Sequence, residues 1–223
     1  MATYTGIQDI PLVAGHPALD LVNTVEPRLP GGAATAFDHF AEASALLVWA
    51  GRSGLLGEQE IVAEEQVWQS SPELAERCRG AVVVAREALY DVLLAGIDGG
   101  SGDRAGAPAV DSQLELLSAN RAAAVARTRL QPVGGSAVGF AEIVGTEPGL
   151  VLLDRIAVAA VDLLTTGELG RLRACPIEEG GCGWLFLDRS RGRTRRWCVM
   201  ADCGTKAKAR RLNDRRRIAR QRS

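Results

Sequence analysis

Four of the chain's five cysteines, Cys175, Cys182, Cys198 and Cys203, fall within 29 residues at the spacing Cys-x6-Cys-x15-Cys-x4-Cys. No other feature limits the fold as strongly. The N-terminus shows no basic cluster followed by an apolar stretch, so nothing marks the chain for export and its thiols are better read as ligands or core residues than as disulfides. Four reduced core thiols would be odd in a segment with so little apolar mass. Four thiolates on two turns make a closed tetrahedral cage, the arrangement that Zn²⁺ takes in structural sites because it is borderline soft and asks only for four good donors. Zinc is the expected cofactor. Pro176, Gly180, Gly181 and Gly183 allow a turn between the first pair of ligands. Trp184 to Leu187 reads as a strand, 188–192 as a turn, Thr194 to Trp197 as a returning strand, and Ala207 to Arg220 as a helix. A knuckle, a hairpin and a helix after the last ligand predict a treble-clef-like zinc finger.

Charge divides the chain at the same place. Residues 1–170 hold 10 Lys+Arg against 22 Asp+Glu, whereas residues 171–223 hold 16 against 5, so the net charge of −1 hides an acidic body and a basic end. Four thiolates and one Zn²⁺ add about −2 locally, which leaves the basic end positive. Arg189, Arg191, Arg193, Arg195 and Arg196 lie between the second and third cysteines, and Lys206, Lys208, Arg210, Arg211 and Arg215 follow the fourth. A helix charged on nearly every face has little apolar stripe to bury, so it stands in solvent or lies along a polyanion. Arginine binds phosphate oxygens bidentately and reaches guanine in the major groove, which makes nucleic acid the expected partner. Trp184, Phe186 and Trp197 read first as the small core beneath the cage and second as base-stacking rings.

The acidic body reads as mainly helical. Gly15-His16-Pro17 opens a short amphipathic segment; helices follow from Phe37 to Gly51, from Glu58 to Trp68, and from the Ser71-Pro72-Glu73 start to about Ile97. Loops are expected at 30–32 and 98–107, and a helix from Asp111 to Ala124. Gly134-Gly135 between two apolar stretches, 126–133 and 136–144, predicts a hairpin. A further helix runs to about Leu164, with a short one over Glu168 to Arg173. The fold class is therefore α+β, mainly α, with a helical N-terminal domain over 1–170 carrying a small β-hairpin and a basic finger over 171–223. No apolar run approaches the roughly 20 residues of a membrane helix, so a cytoplasmic location is expected.

His16, Asp20 and Asn23 fall at i, i+4 and i+7 and put polar groups on one helix face. They either line a ligand pocket, which would make the domain a sensor of a small-molecule effector, or cap and cross-link neighbouring segments. With only two histidines, no nucleophile motif and no phosphate-binding glycine loop, catalysis is not expected, and Cys78 reads as a core thiol.

Arg173-Ala-Cys-Pro, Cys182-Gly-Trp-Leu-Phe-Leu-Asp-Arg-Ser-Arg, Arg195-Arg-Trp-Cys-Val-Met-Ala-Asp-Cys-Gly and Lys206-Ala-Lys-Ala-Arg-Arg together resemble the CGNR zinc-finger family. Gly15-His-Pro-Ala-Leu-Asp-Leu-Val-Asn-Thr24 resembles the opening motif of the N-terminal ABATE domain that its members carry. The resemblance implies a predicted stress-induced transcription regulator, and favours DNA over RNA. Where the family reads Cys-Gly-Asn-Arg, this chain has Cys203-Gly204-Thr205-Lys206, which keeps the charge but loses the guanidinium fork and the amide. A homodimer would suit so small a finger on a specific site. Two other readings stand beside it. The basic helix could dock on an acidic protein surface, or the N-terminal domain could bind a ligand or catalyse a reaction with the finger as a stabilising appendage.

Overall fold

Ser71 places its carbonyl where the first turn of a helix needs it, accepting from Leu74 and Ala75, and Pro72 supplies the fixed φ of a first helical residue. The helix that follows, α4 (Pro72–Ile97), is the longest described and the spine of the computed structural model, which describes residues 4–29, 36–97, 110–133 and 139–221. Its buried residues recur at helical spacing: Ala75, Cys78, Val82, Ala85, Ala88, Leu89 and Leu93. Around it pack α1 (Pro17–Val22), α2 (Ala43–Ser53), α3 (Glu58–Ser70), α5 (Val110–Ala126) and α6 (Val151–Thr166). Cys78 is buried in this core, its thiol donating to Gly149 O.

Three two-stranded antiparallel ribbons complete the architecture. The first, β1 (Val25–Glu26) with β2 (Phe37–Asp38), is held to α4 by Arg86, which bonds Thr24 Oγ1 at 3.0 Å and the Asp38 carboxylate at 2.7 Å. The second, β3 (Arg129–Pro132) with β4 (Phe140–Ile143), is the expected hairpin, shortened because α5 extends to Ala126. Its Gly-Gly turn lies outside the described residues, as do the loops expected at 30–32 and 98–107. The third joins β5 (Leu172–Ala174) to β6 (Leu185–Leu187).

That third ribbon corrects two expectations. Only Leu169–Arg171 of the short helix expected over Glu168 to Arg173 turns, as one 3₁₀ turn, and the chain then enters β5. The partner of β6 is this upstream strand, in the register Leu172↔Leu187, rather than Thr194 to Trp197. The reason lies at Asp188, a fully buried carboxylate that accepts from Ser190 N, Ser190 Oγ and Arg195 N at 3.0, 2.6 and 3.0 Å. Segment 188–195 is thereby closed by a side chain and has no ladder to offer.

The finger shares the interior of the helical body. Leu19, Leu21 and Leu89 belong to the same apolar cluster as Trp184, Leu185, Phe186 and the buried cysteines. The last helix, α7 (Thr205–Gln221), buries only Ala207 among its described side chains; every one described beyond it is exposed. Among the described residues, no helix is long and apolar enough to cross a membrane.

Candidate metal centre

Cys175 follows β5 and Cys182 precedes β6, so the hairpin itself folds the first ligand pair into a knuckle. Cys175 N donates to Trp184 O at 2.8 Å, Gly183 N to Cys175 O at 3.2 Å, and Gly181 N to Pro176 O at 2.8 Å. Two glycines make this possible. A Cβ on Gly181 would sit 2.7 Å from the Cys175 sulfur, and one on Gly183, at φ +79°, would sit 1.9 Å from Arg28 O. The second pair comes from the other end of the module. Cys198 ends the Asp188 loop, and Met200–Gly204 forms a single wide turn that delivers Cys203 to the start of α7.

The four sulfurs lie within 4.8 Å of one another, with Cys182 and Cys198 at 3.3 Å and Cys198 and Cys203 at 3.7 Å. A tetrahedron with metal–sulfur bonds of about 2.3 Å has edges of about 3.8 Å, close to the spacing of this donor set, which therefore suits Zn²⁺. Without a cation the thiols compete for protons. Hydrogen bonds from Cys182, Cys198 and Cys203 draw Cys175 well below the ordinary thiol range, while the bond to Cys175 pushes Cys182 well above it. A dication suits all four as thiolates, and zinc closed in by four of them is a structural ion with no open position.

Side chains around the cage hold its backbone. Arg195 points inward: Nη2 donates to Val13 O at 3.1 Å and Cys198 O at 2.5 Å, Nε donates to Trp197 O at 3.2 Å, and the guanidinium lies 4.4 Å from the Phe186 ring centre. Arg195 therefore differs from the other arginines expected to meet phosphate, because its Nε and Nη2 donors are taken up by the protein. Trp184 is buried under the cage with Nε1 bonded to Val25 O at 2.8 Å, and Phe186 and Trp197 are buried beside it, so all three rings are core. Tyr4 stacks on Trp184 at 5.8 Å and donates to Asp202, next to the last ligand.

The three polar residues of α1 are drawn together by the same task. Asn23 accepts from Leu185 N at 2.9 Å and donates to Leu185 O at 2.8 Å. Asp20 accepts from Ala14 N at 3.0 Å, and Ala14 O in turn accepts from Leu187 N at 2.9 Å. His16 caps α1, Nδ1 accepting from Ala18 N at 3.1 Å. Each group thus satisfies backbone, and two of them do so at or beside β6.

The remaining basic residues face outward. Arg191, Arg193, Lys208, Arg210 and Arg215 are exposed and make no salt bridge among the described residues, and Lys206 is exposed beside them. Arg189 pairs with Glu168 at 3.2 Å, and Arg196 and Arg211 both pair with Glu179. Asp188 and Glu179 escape a reading based on metal spacing and net charge. Asp188-Arg-Ser190 is, however, the signature of a side chain closing its own turn, which could have exposed the loop.

A mainly helical body whose core continues into a closed four-cysteine cage defines a zinc-binding protein with a basic finger. The chain belongs to the ABATE family, described as "Putative stress-induced transcription regulator", whose model matches residues 15–167, and residues 171–216 match the CGNR zinc finger. No curated protein matches the chain.

Proposed function

We propose that the protein is a cytoplasmic, non-enzymatic transcription regulator that binds duplex DNA through its treble-clef-like zinc finger. The observation that carries this reading is the outward set Arg191, Arg193, Lys208, Arg210 and Arg215, which lies on the loop between the second and third cysteines and on the helix after the fourth, is exposed, and makes no salt bridge among the described residues. Cations held apart from carboxylates on a preformed scaffold are suited to phosphate. Geometry favours duplex DNA over RNA. The 17 residues of α7 extend about 25 Å, nearly all exposed, and an α-helix enters the roughly 12 Å major groove of B-form DNA but not the deep, narrow one of A-form RNA. A groove of about 700 Å³ between α2, α3 and α4, with Leu47, Ile61 and Trp68 on its walls, supports the further reading that the body takes a small-molecule effector, at a position away from His16, Asp20 and Asn23.

The test is selection of the zinc-loaded chain against pooled random duplexes at two salt concentrations, followed by sequencing. An enriched motif that disappears when Arg191, Arg193, Lys208 and Arg210 are replaced by Ala, with zinc content unchanged, is the expected result. Retention without a motif would leave a general nucleic-acid binder, and no retention at low salt would overturn the reading.

A further inference from the structure

Glu179 is an acid within the basic surface, and it ties the loop before the third ligand to α7. It ends the short turn Ile177–Glu179, inside the Cys175–Cys182 knuckle. Its two carboxylate oxygens go separate ways: Oε1 accepts from Arg196 Nη2, in the segment before the third ligand, and Oε2 accepts from Arg211 Nη2 on α7 at 2.5 Å. The next residue, Gly180, turns back at φ +95° and lies under Arg210, whose Cδ and Nη1 would be 3.8 Å from any Cβ there. One carboxylate thus gathers guanidinium groups from the loop and the helix onto one point over the cage.

A carboxylate bridging two guanidinium groups has the charge and acceptor geometry of a phosphate doing the same. The two arginines are each more than half exposed, at 54% and 56% of their side-chain surface, so an incoming anion can reach them. Pairs whose guanidinium groups stand in solvent are weak even where the carboxylate, as at Glu179, is partly covered, and a dianion that offers three acceptors can displace it. The other acid that pairs with the finger's arginines among the described residues, Glu168, meets Arg171 and Arg189 and gathers none from α7.

We propose that Arg196 and Arg211 form a two-arginine phosphate clamp in which the Glu179 carboxylate is an internal placeholder, displaced when a phosphate group binds. The proposal deepens the nucleic-acid reading and, for its biological ligand, rests on it. It makes Glu179 a filter as well as a placeholder. Single charges too weak to displace the carboxylate leave the clamp closed, whereas a phosphate chain that also meets Arg191, Arg193 and Lys208 opens it.

The experiment uses the full zinc-loaded chain and its Glu179→Gln variant, with zinc content and far-UV circular dichroism as folding controls. Two probes are titrated: inorganic tripolyphosphate, read by thermal shift, and a random 20-base-pair duplex, read by anisotropy across a salt series. The expected result is that Glu179→Gln binds both probes about two- to fivefold more tightly, with a salt slope on DNA steeper by about one. The gain should vanish when Arg196→Ala or Arg211→Ala is added to Glu179→Gln. A gain for tripolyphosphate with no retention of duplex by either protein would keep the clamp, assign it to free phosphate, and overturn the DNA reading alone. Equal or weaker binding of both probes by Glu179→Gln would overturn the clamp, whatever the wild type does on DNA.

Discussion

Asn23 acts as a piece of β-strand for Leu185. Its side-chain amide accepts the Leu185 N–H and donates to the Leu185 carbonyl, so the edge of β6 that β5 leaves open is paired at Leu185 by the residue that caps α1, across 162 positions of sequence, as Ala14 O pairs it at Leu187. Both groups are buried, and α1 contributes no strand of its own. The helical body and the zinc finger are thereby joined at backbone atoms of β6 three residues beyond Cys182.

Replacing Asn23 by Ala leaves a buried donor and a buried acceptor without partners. The expected cost is roughly 2–4 kcal/mol. Urea unfolding should show the loss, and zinc release to a chromogenic chelator should follow the same transition as helical circular dichroism. Two separated transitions in the wild type would show that the body and the finger are coupled less tightly than this contact requires.

Arg195 and its neighbours should separate by function. Lys at position 195 cannot span the Val13, Trp197 and Cys198 carbonyls from a single ammonium, so Arg195→Lys should cost about 1–3 kcal/mol and loosen zinc. Arg191→Ala and Arg193→Ala should leave the unfolding free energy within about 0.5 kcal/mol of wild type. Each should instead lower the salt slope of DNA binding by about one. Melting curves and salt titrations on the three variants check the division.

These roles differ in how far residue type and spacing reveal them. Cysteine spacing is legible because coordination depends on donor chemistry, and the sulfurs at 175, 182, 198 and 203 have few other ways to be satisfied together. Most helices are legible because periodic burial and start signals such as Ser71-Pro72-Glu73 act locally. The one expected from Phe37 begins only at Ala43, since Phe37 and Asp38 pair with Val25 and Glu26 as β2. The partner of β6 is not. A short apolar strand accepts an upstream or a downstream neighbour equally well, and the choice is made by Asp188, which closes the downstream segment upon itself. Asn23 and Arg195 are hidden for a related reason. Their types suit a ligand pocket and a phosphate surface, and only the fold shows that their partners are backbone atoms far away in the chain.

The pH dependence of stability should carry a mark of Asp20. Burial pushes its carboxyl up to about 6, against which the Ala14 and Val13 amides and the charges of Arg52 and Arg195 act only in part. An unfolded chain titrates this group near 4, so between about pH 4 and 6 the folded state holds a proton that the unfolded state has released. Stability from this group is therefore fully present below pH 4 and falls as pH rises to 6. Above pH 6 the loss is complete, at roughly 3 kcal/mol as an upper figure. Asp20→Asn should remove that slope, so the difference in unfolding free energy between wild type and variant, measured from pH 4 to 7, should move in the variant's favour and level off near pH 6. A flat difference would mean that Asp20 stays ionised in the fold.

Removal of the metal tests how the chain is built. Cys175, Cys198 and Cys203 are buried in the same apolar cluster as Leu19, Leu89, Trp184 and Leu185, and β6 depends on α1 for the pairing of its free edge. Binding of zinc to four thiolates contributes on the order of 10 kcal/mol to small zinc modules at neutral pH, comparable to the whole stability of an ordinary domain. Losing it should therefore do more than free a tail. Chelation should expose Trp184, weaken the stack of Tyr4 upon it, and lower the melting temperature of the helical body together with the finger. Calorimetry with and without a chelator under reducing conditions checks this. A single transition shifted downward by tens of degrees, restored by stoichiometric Zn²⁺, is the expected outcome. A helical transition that stays in place after the metal has gone would show that the body stands without its finger, and that the shared interior is packing without mutual dependence.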